Sequence, residues 1–363
     1  MTGVFRKIGF LIAFILPALV VTGFYAGAAW NFITIVFAFI LIPLVDQWMG
    51  TDLSNVPETH RSALTDDAYY RFVLYVWAYV QLAFVVWASY AITNMTGETL
   101  VAKAAFTLSV ALVTGGIGIT VAHELGHKKS THERVHSKLL LMTVCYMHFY
   151  IEHNKGHHVA VATPEDPATA RRNENFYAFW VRSVFLGYRH AWQLETERLI
   201  RNGMRPLSFN NQMLQFLFFP LLFCVAITAG LSLAAGSVAW EVPVFFVSQS
   251  VLAFTLLELV NYVEHYGMTR RKLGDGRYER VNPTHSWNAS FLISNFFLFQ
   301  LQRHSDHHAF AHKRYQVLHH YEESPQLPSG YPTMIMLALM PPAWFALMNP
   351  RLEAWEKQEP AAA

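Results

Sequence analysis

Residues 101–127 read VAKAAFTLSVALVTGGIGITVAHELGH. Val101–Ala122 is apolar apart from Lys103 near its start, and it runs directly into His123-Glu-Leu-Gly-His127. An apolar stretch of about 20 residues is the length of helix that crosses a bilayer. Histidine is a mediocre helix former and an awkward core residue, yet it is the commonest metal-binding side chain. The stretch therefore predicts a membrane-crossing helix that delivers metal ligands at one end.

Five further apolar runs carry the same length signal: Ile8–Tyr25, Asn31–Val45, Tyr70–Ile92, Met213–Ala235 and Val244–Tyr262. Asn31–Val45 is the shortest and suits a tilted or partly interfacial span. The whole chain is 53% hydrophobic and only 14% charged, with mean hydropathy +0.23. Soluble domains carry about 25% charged residues, so much of this surface faces something other than water. Arg6 and Lys7 ahead of the first run mimic a signal peptide, but a second run follows at once without a small-residue cleavage site, so the first is read as a retained span.

Charge gives the orientation. Ala26–Trp30, Thr93–Leu100 and Gly236–Pro243 share one side and contain no Lys or Arg, which leaves every basic residue except Lys103 with the termini. The positive-inside rule makes that side cytoplasmic. The expected fold is an all-α membrane protein of about six transmembrane helices (8–25, 31–45, 70–92, 101–122, 213–235 and 244–262) with a cytoplasmic histidine-rich di-metal domain. It reads as one unit over 1–363, with cytoplasmic catalytic segments 123–212 and 263–350 and a disordered tail, Pro360–Ala363. In the first segment Phe176, Trp180, Val184, Tyr188 and Trp192 recur every four residues. That stripe suits a helix lying in the membrane interface or one packed on the polar segments.

All but one of the 18 histidines lie between His123 and His320. His123 and His127 are four apart, so on an α-helix they share a face. His153 and His157 repeat the spacing, with His158 beside them, and His304 and His308 repeat it again around His307. One such pair is weak evidence; three are strong. His265 stands alone, at the end of the sixth run as His123 stands at the end of the fourth. Nine candidates are too many for one ion and suit two. Imidazole favours Zn, Cu, Fe or Ni over Mg or Ca. Asp166, Glu165, Glu264 and Asp306 are candidates to hold imidazole N–H groups, and His148 is a candidate outer partner. Cys145 and Cys224 form no C-x-x-C pair, and no glycine-rich nucleotide fingerprint follows a strand, so electrons for any redox chemistry come from another protein.

His123-Glu124-Leu-Gly-His127 also matches H-E-x-x-H, in which Glu124 would serve as the general base of an intramembrane zinc protease. That reading leaves most of the grouped histidines without a role. His132-Glu-Arg-Val-His136 repeats the pattern nine residues on, which points to chance enrichment. A metal carrier is a third class, but no chain of polar residues crosses the membrane.

His-Glu-Leu-Gly-His (123–127), Glu-His-Asn-Lys-Gly-His-His (152–158), Asn-Tyr-Val-Glu-His-Tyr-Gly (261–267) and Leu-Gln-Arg-His-Ser-Asp-His-His (301–308) together resemble the bacterial alkane 1-monooxygenases. These are integral-membrane non-haem di-iron enzymes within the wider desaturase and hydroxylase superfamily. The likeness continues through 161–168, 285–288 and 327–332. After His308, the stretch Ala-Phe-Ala-His-Lys-Arg-Tyr-Gln departs from the family by lacking a proline. The resemblance implies two irons held by His123, His127, His153, His157, His158, His265, His304, His307 and His308. It implies O2-dependent hydroxylation of the terminal methyl of medium-chain n-alkanes, with electrons from rubredoxin and its NAD(P)H-dependent reductase. It also implies a multi-pass protein of the bacterial inner membrane, with lipid but no nucleic acid as a partner. Some relatives carry rubredoxin fused at the C-terminus; no such module lies within this sequence, so the donor is expected to be either a separate protein or a fused domain outside these residues. A related desaturase, or a hydroxylase of another hydrophobic substrate, shares the same motifs.

Two finer expectations concern access. Phe37, Phe39, Trp77 and Trp87 are candidates to line a substrate channel, and Lys128, Lys129, Arg270, Arg271 and Lys272 offer positive charge for an acidic donor.

Overall fold

The computed structural model describes residues 3–358, so Pro360–Ala363 lies outside the described residues. Among these residues the chain is helical, with isolated bridges such as Thr51 to Phe291 and no strand. In chain order the main elements are α1 (Phe5–Ala26), α2 (Ala28–Met49), α3 (Ala68–Thr93) and α4 (Leu100–Gly126). Then come α5 (Phe176–Arg201), α6 (Gln212–Ala235), α7 (Glu241–His265), α8 (Tyr331–Ala338) and α9 (Pro341–Glu356). Six of them, α1 to α4 with α6 and α7, are long and apolar enough to cross a membrane, as the sequence predicts. Helix α2 is longer than its apolar run because the helix continues through Asp46–Met49. The pair α8 and α9 is bent by 120° at a short break.

Helix starts follow local chemistry. Asp67, Thr99, Asn175 and Asn211 each accept a backbone N–H from the first turn of α3, α4, α5 and α6. Such caps satisfy amides that the helix itself leaves unpaired. At the other end of α6, Gly236 takes the left-handed conformation (φ 68°) that ends many helices.

Burial ranks the spans. Within α4, 78% of the apolar window is buried, against 17% in α6, so α4 is central and α6 peripheral. Glycine makes that position possible. A Cβ on Gly115 would lie 2.6 Å from the Ala253 carbonyl oxygen, and one on Gly118 would lie 2.0 Å from Gln81 Oε1. Only a bare backbone lets α4 approach α7 and α3 so closely. Through Leu112–Ile119 the helix widens into a π turn, a feature that is rare and concentrates at functional sites.

Polar ties then fix the segments beyond the spans. Asp46 Oδ1 accepts the Ile293 and Ser294 N–H groups at 2.9 and 3.1 Å. The buried Arg303 guanidinium donates to the carbonyls of Leu318, Asp52 and Ser54, which pins the short helix His304–Ala309.

In helix α5 the apolar stripe agrees with the packed alternative of its two readings. Its predicted stripe turns inward: Phe176 is buried, and Trp180, Val184, Tyr188 and Trp192 are half-buried. Tyr177, Val181, Phe185 and Leu186 face outward instead. Small residues explain the choice, since Ser183, Gly187 and Ala191 form a buried row that lets α5 pack closely.

Candidate metal centre

Four separate segments bring the histidines together. His123 lies in the last turn of α4 and His127 follows it, while His265 ends α7. His153, His157 and His158 lie on the helical segment Phe149–Ala160, and His304, His307 and His308 lie on His304–Ala309. They sort into two groups that can each hold a metal ion: His123, His127, His153, His158 and His307; and His157, His265, His304 and His308.

Within each group one nitrogen per ring lies within 4.8 Å of the others. In the first, His153 Nε2 is 3.0 Å from Nε2 of both His127 and His158, and His158 Nε2 is 3.1 Å from His307 Nε2. In the second, His304 Nε2 is 3.2 Å from His265 Nε2 and 2.9 Å from His308 Nε2. Two nitrogens on one ion at about 2.1 Å stand about 3.0 Å apart at a right angle and about 4.2 Å apart across it. The observed separations fit that pattern. The buried Nε2 atoms of His123 and His157 have no hydrogen-bond partner among the described residues, which also fits a donor set aimed at a cation.

The pairing differs from helical spacing in one place. His123 with His127, and His304 with His308, share groups as the four-residue interval predicts. His153 and His157 fall into different groups, and His153 joins His158 instead. The cause is local. Glu152–His157 is a π turn, whose i→i+5 bonding widens the helix and alters which rings converge.

Burial dominates the electrostatics. It pushes the imidazoles of His127, His153, His158, His304, His307 and His308 well below their usual range, and neighbouring rings add to the shift. A neutral imidazole is the form that binds metal. Outer partners orient the rings. His157 Nδ1 donates to Asp166 Oδ2 at 2.8 Å, and Asp166 is itself held by Thr169 Oγ1 at 2.6 Å and the Ala168 N–H at 3.0 Å. Glu264 differs: its Oε2 lies 3.1 Å from His304 Nε2, the nitrogen that faces the group, so this carboxylate borders the ion site instead of holding an outer N–H, while its Oε1 accepts from the Tyr331 hydroxyl at 2.8 Å. Ser286 Oγ is 3.4 Å from His265 Nδ1.

Other sequence candidates lie elsewhere. Asp306 accepts from Lys313, Tyr321 and the His319 N–H, and Glu165 is exposed. His148 packs its ring on Tyr146 and Tyr188. Lys128 is buried, with Nζ 2.9 Å from Glu124 Oε1 and bonded to the Lys313 carbonyl, so it is no docking charge. Glu124, the base of the protease reading, is engaged by Lys128 and by the Tyr315 N–H at 3.3 Å. In the second H-E-x-x-H copy, His136 bonds Tyr79 OH at 3.1 Å and His132 packs on Tyr75.

Two buried acids escaped the sequence reading. Glu152 Oε1 accepts from His190 Nδ1 at 2.9 Å; burial pushes the Glu152 carboxyl up, His190 opposes that, and the hydrogen bond raises His190 in return. Glu258 accepts from the Tyr146 and Ser183 hydroxyls at 2.9 and 2.6 Å. A signal for Glu258 was available, since an acid inside an apolar run is rarely idle.

An apolar cavity leads to the histidines. It holds about 880 Å³ of empty space, its open mouth included, and touches His123 and His153 of one group and His304 of the other. Phe39, Leu112, Gly116, Leu256 and Phe297 are among its walls. Of the four aromatic residues predicted to line a channel, only Phe39 does. Phe37 packs on Phe297, Trp77 on Phe14, and Trp87 on Phe24, Phe84 and Phe106.

Comparison with known proteins agrees with this geometry. Residues 98–338 match the family model Fatty acid desaturase. Alkane 1-monooxygenase 2 of Pseudomonas aeruginosa is 46% identical over 328 residues, covering 90% of this chain and 85% of the relative. Alkane 1-monooxygenase 1 of the same organism is 42% identical over 90% of this chain and 84% of its own length. Alkane 1-monooxygenase 2 of Alcanivorax borkumensis is 42% identical over 91% and 85%. Six apolar helices, two convergent histidine groups and likeness along nine-tenths of the sequence lead to one conclusion: the chain belongs to the alkane 1-monooxygenase family of multi-pass membrane oxidoreductases, within the wider fatty acid desaturase family.

Proposed function

We propose that the chain hydroxylates the terminal methyl of medium-chain n-alkanes with O2, giving 1-alkanols, at two irons. His123, His127, His153, His158 and His307 hold one iron, and His157, His265, His304 and His308 hold the other. The observation that carries this reading is the apolar cavity ending against both histidine groups. An alkane has no polar handle; it concentrates in the bilayer and binds through apolar walls.

Iron bound in the two groups supplies the one-electron chemistry that O2 activation needs and zinc lacks. The overall balance is RH + O2 + 2 e⁻ + 2 H⁺ → ROH + H2O. The chain's own residues position and seclude the reactants. The Thr120 hydroxyl donates to the Gly116 carbonyl at 2.7 Å, Tyr331 OH donates to Glu264, and Ser294 Oγ accepts from Gln302 Nε2 at 2.8 Å, so all three cavity hydroxyls are engaged by the protein. That leaves few groups to hold water beside the substrate, which limits side reactions.

Rubredoxin, reduced by its reductase, is the electron donor in this reading. His127 and His158 are the half-exposed members of the first group, with Lys129 and Lys155 exposed beside them. Arg270, Arg271 and Lys272 extend the basic face. The bacterial inner membrane is the location, with termini and histidines cytoplasmic, and segments 123–212 and 263–350 form the catalytic side of a single unit.

The test is metal analysis with product analysis. Purified protein in lipid should hold about two irons, one per histidine group, and convert octane to 1-octanol when given O2, rubredoxin, reductase and NADH. One zinc without O2 consumption overturns the assignment. Octene as the product favours the second reading, a desaturase, which the family match also admits.

A further inference from the structure

We propose that the first half of α5, Phe176–Leu186, is inserted in the bilayer leaflet on the histidine side, and that the helix emerges into the aqueous phase beyond Arg189. The first support is depth. Helix α7 spans 25 residues from Glu241, next to the exposed Trp240, to His265. A hydrocarbon core of about 30 Å takes up about 20 helical residues, so counted from Glu241 it ends near Val260. Trp180 Nε1 donates to Thr255 Oγ1 at 3.0 Å, and the Trp180 ring lies 6.1 Å from that of Phe254. Thr255 is therefore about 8 Å inside the core, and any tilt of α7 would put it deeper.

The second support is direction. Further along, α5 leaves α7. His190 meets Glu152, and Glu195 Oε1 accepts the Gln212 N–H at 2.8 Å, at the first residue of α6. Helix α5 thus crosses from inside the apolar zone at Trp180 to the boundary of a span at Glu195.

The third support is the outward row. Tyr177, Val181, Phe185, Arg189, Gln193, Glu197 and Arg201 succeed one another every fourth residue, and all are exposed. The row changes from apolar to polar between Phe185 and Arg189. Phe185 and Arg189 lie within about 40° of each other around the helix, and the exposed Leu186 and Gln193 within about 20°, so the change occurs along the axis, in step with the depth. Phe185 is 65% exposed and Val181 54%, a high exposure for side chains facing water. Polar atoms in the inserted half are already satisfied. Tyr177 OH donates to the Leu339 carbonyl at 2.9 Å, and the Arg182 guanidinium turns inward to Glu174 and the carbonyls of Pro167 and Thr169. The occupant of this face is lipid acyl chain, as at the exposed apolar side chains Leu217, Leu221 and Val225 of the spanning helix α6.

The intact protein can be tested in vesicles of phosphatidylcholine and phosphatidylglycerol containing a phosphatidylcholine with a diazirine in its acyl chain. After photolysis, peptide mass spectrometry should find adducts at Tyr177, Val181 and Phe185 in yields comparable to Leu221, and background only at Gln193 and Glu197. Absence of adducts from the three apolar positions while Leu221 is labelled overturns the proposal, as do equal yields along all of α5. Nitroxide labels on the Phe185→Cys and Gln193→Cys variants give an independent reading. Collisions with dissolved O2 should dominate at 185 and those with an aqueous nickel chelate at 193; the same aqueous accessibility at both positions contradicts insertion.

Discussion

Asp166 is the residue whose role is most sharply defined by geometry. Its carboxylate accepts a hydrogen bond from His157 Nδ1–H and so leaves Nε2 free to point into the second group. Asp166→Asn keeps the shape but disturbs that tautomer. Such outer partners typically govern metal affinity by about 10–100-fold, so affinity in the four-histidine group should fall by that order. Chelator competition on the loaded protein measures it, and an unchanged constant would show that Asp166 does not orient His157. His190 gives a pH signature. Its hydrogen bond to Glu152 raises the folded value above that of the unfolded chain. The stabilisation is therefore complete below the ordinary imidazole value of about 6.5 and is lost as pH climbs through the raised one. Melting temperature should decline across that window, and His190→Gln should flatten the decline; parallel curves for the two proteins would refute it. The nine grouped histidines were legible because no folding requirement calls for them. Which ring joins which group was not, because a π turn at 152–157 leaves no mark in residue spacing.

At the scale of the element, α4 supplies a matched pair of tests. Gly118 faces Gln81, which is locked by Trp77 Nε1 at 3.0 Å and Thr143 Oγ1 at 2.9 Å. Gly118→Val must force that network apart, at about 1–3 kcal/mol by the usual scale of overpacking, readable as earlier denaturant unfolding. A Cβ on Gly116 would meet only Leu256 Cδ2 among the described residues, at 3.4 Å, and Gly116 lines the cavity. Gly116→Leu should fold normally but fill the channel, shifting product yield from dodecane toward hexane in a mixed-alkane assay. Unaltered chain-length preference would mean that substrate does not pass Gly116. The spans themselves were readable from length and apolarity alone. Helix α5 was readable as a helix, but its lipid-facing side was not. Two apolar rows compete for the inside, and the buried small residues Ser183, Gly187 and Ala191 decide between them.

For the whole molecule, the sequence conveys the count of spans because hydrocarbon thickness sets helix length independently of partners. It does not convey the cavity, whose walls come from α1, α2, α4, α7 and α8 and exist only once those helices pack. Nor does it convey that the segments 152–158 and 304–308 each feed both histidine groups. That sharing has a thermodynamic consequence. Whatever ion enters first must immobilise both segments, and the second ion then meets a site whose disorder has already been removed. Occupancy should be cooperative, with a sigmoidal iron titration of the metal-free protein and little singly loaded species in native mass spectra. Two independent hyperbolic steps would refute this. If the coupling holds, His265→Ala, although confined to one group, should deplete both, and the pair of ions behaves as a single cargo that is either aboard or absent.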